Sequence, residues 1–351
     1  VKWELKLKAE ELMTEGPWSV TFNISSVVSG NPHDYFSEGT YWWPDPNNPN
    51  GPYIRRDGEF NPERFTKHYD DMMKMSYAVM YLSSAGYYLD ERKYIDRAIY
   101  LLEVWFLDEK TKMNPHLEYS QAIKGICDGR SIGIIDTVAL LPMIHGLGFI
   151  EKYKEYNAKI QELKNWFREY VHWLTTSPKG IQEKYHGNNH SNWWNTQVAA
   201  FSAFIGNEDL VRESFEFFEE VIVPNQLNSD GSFKDEITRT NSMFYSFYNL
   251  DASALLCEIA YNRGIDLWHY KTADGKGIES AVKFLIPYFD NPFTWPYKEI
   301  DGQIPDENYS FQMAAIRLGL KECLKINFKR GKDKYLIRDQ APIGPLVLLR
   351  S

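Results

Sequence analysis

From about residue 68 onward, apolar residues return at three- and four-residue steps in one segment after another. That rhythm limits the fold more than any other feature of the chain. Met72, Met75, Val79 and Leu82 set it first, and Ile95, Ile99, Leu102 and Phe106 repeat it over 92–107. The stretches 131–147, 151–175, 191–206, 208–223, 242–263, 276–289 and 308–325 follow suit. This spacing lines one face of a helix. Gly86, Gly206 and Gly264 fall where helices are expected to stop. Strand-like alternation is scarce before a tail near 326–349. A run of about nine helices with little β signal leaves bundles, solenoids and α/α barrels. No fixed repeat length appears, which disfavours a regular solenoid. Helices of uneven length separated by long loops favour an α/α barrel, read here as a single domain over residues 1–351.

Residues 30–64 break the helical pattern. Six prolines punctuate this segment, and Tyr41-Trp42-Trp43-Pro44-Asp45-Pro46 sits at its centre. A loop this long is usually functional or disordered, and its aromatics argue against disorder. Aromatic residues reach 15% of the chain, with 11 Trp and 23 Tyr. Flat rings outside a core suit stacking on the apolar faces of sugars, although the same rings would also pin a loop to its domain. Tyr41 and Trp42 are therefore candidate carbohydrate contacts, with 30–64 expected to lie over a cleft.

Hydrophobic residues make up 43% of 351 positions, enough for a sizeable core, and no uninterrupted apolar run of membrane-spanning length occurs. The formal charge of −9 disfavours a generic nucleic-acid binder. A polyanion would need a local basic cleft, for which Arg55, Arg56, Lys67, Arg130 and Arg239 are candidates. Cys127, Cys257 and Cys323 are far apart and show no metal-ligand spacing. They read as free thiols, with one disulfide plus a spare thiol as the alternative. No phosphate loop, dinucleotide fingerprint or HExxH motif occurs, so neither an organic cofactor nor a catalytic metal is expected.

Three polar segments remain that periodicity does not explain. In Gly187-Asn188-Asn189-His190-Ser191-Asn192, Ser191 is a plausible N-cap for the helix 191–206, which would leave Asn189 and His190 just ahead of a helix end suited to carboxylates. Asp230-Gly231 reads as a turn, after which Glu236-Ile237-Thr238-Arg239 leads into a helix carrying Tyr245 and Tyr248 one turn apart. The third segment supplies Asn114, Tyr119 and Gln121, then Arg130, ahead of the helix 131–147. Taken singly, a lone His or a helical Tyr is more often structural than catalytic.

Together, in this order, the segments resemble the alginate-lyase domain family, the group that includes polysaccharide lyase families five and thirty-eight. The matching features are Asn189-His190, the Glu236–Arg239 segment, Tyr245, the stretch Asn114–Asp136 and the loop Glu38–Pro44. The six-residue step from Arg239 to Tyr245 is nearer to family thirty-eight. The resemblance spans roughly residues 30 to 320. It implies an incomplete (α/α) toroid of about six to seven helix pairs that cleaves alginate or polyglucuronate by β-elimination. Tyr245, His190, Asn189 and Arg239 would form the chemical centre. Tyr41, Trp42, Asn114, Tyr119, Gln121, Arg130 and Tyr248 would hold the polymer. A monomer, secreted or periplasmic after loss of a signal peptide, is the expected setting.

Such chemistry calls for these residue types. As the C5 proton of a uronate leaves, charge grows on the adjoining carboxylate, and donors aimed there stabilise the transition state above the ground state. Asn189, His190 and Arg239 are such donors. A neutral Tyr245 is a suitable acid for the leaving oxygen, and either Tyr245 or His190 is a suitable base. Two competing classes are an inverting glycoside hydrolase and a non-catalytic carbohydrate-binding protein. The hydrolase would need two separated carboxylates drawn from Asp34, Glu118, Asp128, Asp136, Asp235 and Glu236. The binding protein would have no use for His190, Arg239 and Tyr245 together.

Overall fold

Small side chains let neighbours close on Lys67–Leu89 from several sides, so this helix is buried along most of its length. In the computed structural model, residues 2–26, 28–300 and 309–323 are described. The chain divides into two compact units. One comprises residues 1–182 with 204–206, and the other comprises 183–203 with the residues from 207 onward.

The first unit contains α1 (Lys2–Leu12), β1 (Phe36–Glu38), β2 (Trp42–Trp43), β3 (Ile54–Arg55), α2 (Lys67–Leu89), α3 (Arg92–Leu102), β4 (Tyr119–Ala122), α4 (Leu141–Ile150) and α5 (Asn157–Thr176). The helix α6 (Pro178–Lys184) runs to its boundary. Here α2 packs against α1, α3 and α4. Gly86 does not end a helix as expected. It lies inside α2, where a Cβ would stand 2.4 Å from Cδ1 of Ile95 on α3. The glycine is a close-packing device, and α2 ends instead at Asp90, in the left-handed region at φ 56°. On α5, Ile160, Leu163, Phe167, Tyr170 and Leu174 form the buried stripe that their spacing predicts.

The stretch expected as one helix from 131 is a 3-10 turn over Ser131–Leu140 that runs into α4. Ser131–Ile150 is long and apolar enough to cross a membrane, with a mean hydropathy of 1.7, but 67% of that window is buried and it encloses the carboxylate of Asp136. It is a core segment of this unit. The 30–64 region is ordered by pairing: β2 runs antiparallel to β3, with Trp42 opposite Arg55 and Trp43 opposite Ile54, while β1 pairs in parallel with β4.

The second unit holds α7 (Asn189–Ile205, with its last residues assigned to the first unit), α8 (Glu208–Phe217), a π-turn, α9 (Val223–Gln226), α10 (Ser242–Tyr261), α11 (Ile278–Asp290) and α12 (Tyr309–Arg317). Its centre is α10, which packs against α11 and α12. Phe247, Phe289 and Phe311 meet edge-on between them. Arg317 grips Glu258 with two nitrogens at 2.7 and 2.9 Å. The Asp230-Gly231 turn forms as read: Gly231 has φ +91°, and a Cβ there would collide with the carbonyl oxygen of Ser280 at 2.2 Å. Among the described residues the chain is all-α apart from two two-stranded ladders. The tail at 326–349 lies outside the described residues.

Candidate active site

A buried lattice of amides, and not a run of leucines, joins α7 to α10. Asn192 Nδ2 donates to Asn249 Oδ1 at 2.8 Å and to Ser253 Oγ at 2.7 Å. Asn249 Nδ2 donates to Gln226 Oε1 at 3.0 Å and to Glu236 Oε1 at 3.2 Å. Gln226 Nε2 in turn donates to the carbonyl of Asn188 at 2.9 Å. Every amide nitrogen in this lattice is partnered, although Asn192 Oδ1 is buried without a partner among the described residues, and such a network favours one arrangement of its members.

The start of α7 differs from the sequence reading. The helix begins at Asn189, so Asn189 and His190 occupy its first turn. Asn188 provides the cap, its Oδ1 accepting from the backbone N–H of His190 at 3.1 Å. Ser191, expected as the cap, accepts instead from the backbone N–H of Gly187 at 2.6 Å. The Asn189 N–H is held by Glu236 Oε1 at 2.7 Å. The first two helix amides are therefore engaged within the protein and not open to an incoming carboxylate.

Two carboxylates orient those side chains. Glu236, fully buried, also accepts from Asn189 Nδ2 at 2.9 Å. That bond turns the amide nitrogen of Asn189 toward Glu236, while its Oδ1, equally buried, has no partner among the described residues. Burial pushes the Glu236 carboxyl up from its usual range, opposed by the Asn189 hydrogen bonds and by the charges of Arg239 and His190. Glu236 thus holds Asn189 directly and lies within electrostatic reach of Arg239 and His190. Glu183, 1% exposed, takes Nδ1 of His190 at 2.7 Å, and the His190 side chain keeps 14% exposure. A carboxylate at Nδ1 fixes the proton there and leaves Nε2 for chemistry.

Arg239 follows the short 3-10 turn Glu236–Thr238. Its guanidinium carbon lies 3.8 Å from the ring centroid of Tyr245, which is 8% exposed on the first turn of α10. Tyr248 stands half-buried one turn on, stacked on Phe244 at 5.8 Å and tilted against Trp193 at 4.9 Å. Asn189, His190, Arg239, Tyr245 and Tyr248 all belong to the second unit.

The other candidates belong to the first unit. Tyr41 and Trp42 are half-buried. Tyr41 meets Phe60 edge-on at 5.4 Å, and the Arg130 guanidinium sits 5.9 Å from the Trp42 ring. Arg130 also donates through Nε to the Gln121 carbonyl at 2.8 Å and through an Nη to Gln121 Oε1 at 3.1 Å. Tyr119 is half-buried at the start of β4. Asn114 donates its Nδ2 to Asp34 at 2.7 Å, so its amide is engaged in the fold. Arg55, expected in a basic cleft, is exposed and paired with Asp57 at 2.7 Å.

The carboxylates a hydrolase would need are mostly tied into the fold. Asp136 accepts from Tyr35, Ser37 and Gln121. Asp34 accepts from Ser29 and Asn114, Glu118 from Trp173 and Lys179, and Glu236 is spent on Asn189. Asp128 and Asp235 are exposed. Sequence reasoning missed Glu183 altogether, because Gln182-Glu183-Lys184 at a helix end reads as solvated surface. Glu236 and Asp136 were weighed only as hydrolase groups. Their positions inside otherwise recognisable motifs were the available signal.

Comparison with known proteins supplies the remaining findings. A family model described as alginate lyase matches residues 22–295. An alginate lyase from Bacteroides ovatus superposes with a TM-score of 0.89 at 34% identity, covering 95% of this chain and 90% of that one. Alginate lyase A1-III from Sphingomonas species A1 gives a TM-score of 0.59 at 18% identity, covering 91% and 88%. A histidine-to-alanine variant of A1-III complexed with a tetrasaccharide gives 0.58 at 17%, covering 93% and 88%. The two A1-III likenesses show the fold alone. No curated sequence matches the chain.

Proposed function

The chain belongs to the alginate lyase family and is a polysaccharide lyase, and on that premise we propose that Asn189, His190, Arg239 and Tyr245 carry out the elimination. The observation that carries this reading is the hub at Glu236, which holds Asn189 by two hydrogen bonds and feels the charges of both His190 and Arg239.

The Asn189 amide and the Arg239 guanidinium are donors for the carboxylate beside the reacting C5, joined by His190 Nε2 when the imidazole carries a second proton. They bind it more tightly as its charge grows, and in other enzymes loss of one such donor costs about 2.7–4 kcal/mol. The Tyr245 hydroxyl protonates the departing glycosidic oxygen. Arg239 over its ring favours the phenolate that results, so the same oxygen serves as base when the C5 proton lies on its side of the sugar. When the proton lies on the opposite face, His190 Nε2 is the base, with Glu183 stabilising the imidazolium. In the first unit, Tyr41, Trp42, Tyr119 and Arg130 hold polymer by stacking and charge, with Gln121 bonded to Arg130 behind them. Tyr248 adds a half-exposed ring beside the reacting centre.

The substrate is a uronic-acid polymer, alginate or polyglucuronate, met by a monomeric enzyme in the periplasm or outside the cell, where a long polyanion is accessible. The deciding assay follows ultraviolet absorbance of the new C4–C5 double bond on polymannuronate, polyguluronate and polyglucuronate. Absorbance growth on at least one supports the reading. Reducing ends that appear with no absorbance would overturn it.

A further inference from the structure

Where β1 meets β4, the ladder carries one residue too many. Phe36 pairs with Tyr119 and Glu38 with Ala122, so Ser37 alone faces both Ser120 and Gln121. Bulges of this kind redirect side chains and gather near active sites. The bulge here places Gln121 at φ +48°, in the left-handed region that disfavours a side chain as large as glutamine. A glycine would serve the backbone better, so the glutamine is kept for what its side chain does.

The residue is clasped at every polar atom. Its backbone N–H donates to Ser37 Oγ at 2.8 Å, and its Nε2 donates to Asp136 Oδ1 at 3.1 Å. Its carbonyl and its Oε1 both accept from Arg130. Asp136 is itself held on its other oxygen by Ser37 Oγ at 2.6 Å and Tyr35 OH at 3.0 Å. The Arg130 backbone is anchored too, its N–H donating to Ser120 at 2.9 Å. At the far end, Gly39 leaves room for both partners. A Cβ there would stand 2.6 Å from the Trp42 ring and 2.8 Å from an Arg130 nitrogen.

We infer that Asp136 is a positioning residue: through Gln121 it fixes the Arg130 guanidinium beside Trp42, so that one uronate unit finds a charge for its carboxylate and a flat ring for its C–H face. This rests on the reading of Arg130 as a polymer contact. Asp136 takes the Gln121 amide by its nitrogen, which turns the amide oxygen toward Arg130. With the amide reversed, an N–H would face the guanidinium and the arginine would lose its hold. A carboxylate that merely satisfied two core hydroxyls would affect stability and leave substrate affinity alone.

The test compares steady-state kinetics and melting of Arg130→Ala, Gln121→Gly, Asp136→Ala and Asp136→Asn on the polymer turned over fastest. Arg130→Ala should raise KM about tenfold, the loss expected for one charge-assisted hydrogen bond. Gln121→Gly, which suits the left-handed backbone, should melt no lower than the parent and still raise KM to a similar degree with kcat little changed. Asp136→Ala should match it, while Asp136→Asn, which keeps an acceptor for Gln121, should recover most of the affinity. A folded Gln121→Gly with parental KM, alongside a weakened Arg130→Ala, would overturn the positioning role. Parental KM in Arg130→Ala would sink the underlying reading of Arg130 instead. Should Asp136→Ala fail to fold, Gln121→Gly and Asp136→Asn still decide the matter.

Discussion

The guanidinium of Arg239 sits over the ring of Tyr245, its carbon 3.8 Å from the centroid. One cation thus serves two neighbours, since it also acts on the buried Glu236. The phenol proposed as proton donor carries a cation against the face of its ring.

Removing the Tyr245 hydroxyl is the most direct check. Tyr245→Phe keeps the ring and its stack, so folding and polymer binding should be nearly unchanged while kcat falls by about 10²–10⁴-fold, the usual contribution of an acid–base group. Tyr248→Phe, one turn along the same helix, should be milder. A Tyr245→Phe enzyme that kept most of its turnover would remove this residue from the chemistry.

Arg239→Lys preserves charge but not the planar two-pronged fork or the ring stack. Because the arginine is placed where charge grows, kcat should drop by at least about tenfold with KM changed less. A change confined to KM would make Arg239 a steering residue.

Glu183→Gln replaces an acceptor at His190 Nδ1 with a group that can donate, so the imidazole loses the proton placement that leaves Nε2 outward. The expected result is a loss in kcat of about 10²-fold with an unchanged far-ultraviolet spectrum. Parental turnover would show the pair to be structural.

Glu236 gives a pH signature. Its folded pKa lies above the ordinary carboxylate value, first because of burial. The folded state therefore binds this proton more tightly than the unfolded chain does. The stabilising effect is complete below the unfolded pKa and is lost as pH rises through the folded one. Glu236→Gln removes that loss while retaining an acceptor for Asn189. Relative to the parent, the variant should gain melting temperature from acid to neutral pH. A constant difference across that range would refute the assignment.

The helices were legible because burial writes a stripe on the sequence. Ile95 and Ile99 on α3, and Phe167 and Leu174 on α5, sit where periodicity placed them. Gly86 was misread because a glycine that lets Ile95 approach looks, in sequence, like one that ends a helix. The cap of α7 was misread by three residues because Asn188 and Ser191 are both good capping types, and only the fold shows which hydroxyl or amide faces the free N–H groups. Asn189, His190, Arg239 and Tyr245 were named through their order along the chain. What the sequence could not display was the set of carboxylates behind them. Glu183 and Glu236 acquire meaning only when a helix end and a 3-10 turn bring them to a particular nitrogen.

Apart from Tyr248, the proposed grip on the polymer and the proposed chemistry reside in different compact units of the chain. That separation has an evolutionary reading. Drift or insertion in the aromatic segment 30–64, or at the bulge beneath Arg130, can retune which uronate is held without touching the groups that move protons. Conversely, the amide lattice between α7 and α10 leaves little freedom, since changing one of its members strands another. Within such a lineage, diversification of polymer preference should accumulate in the first unit, while the second stays fixed by mutual dependence.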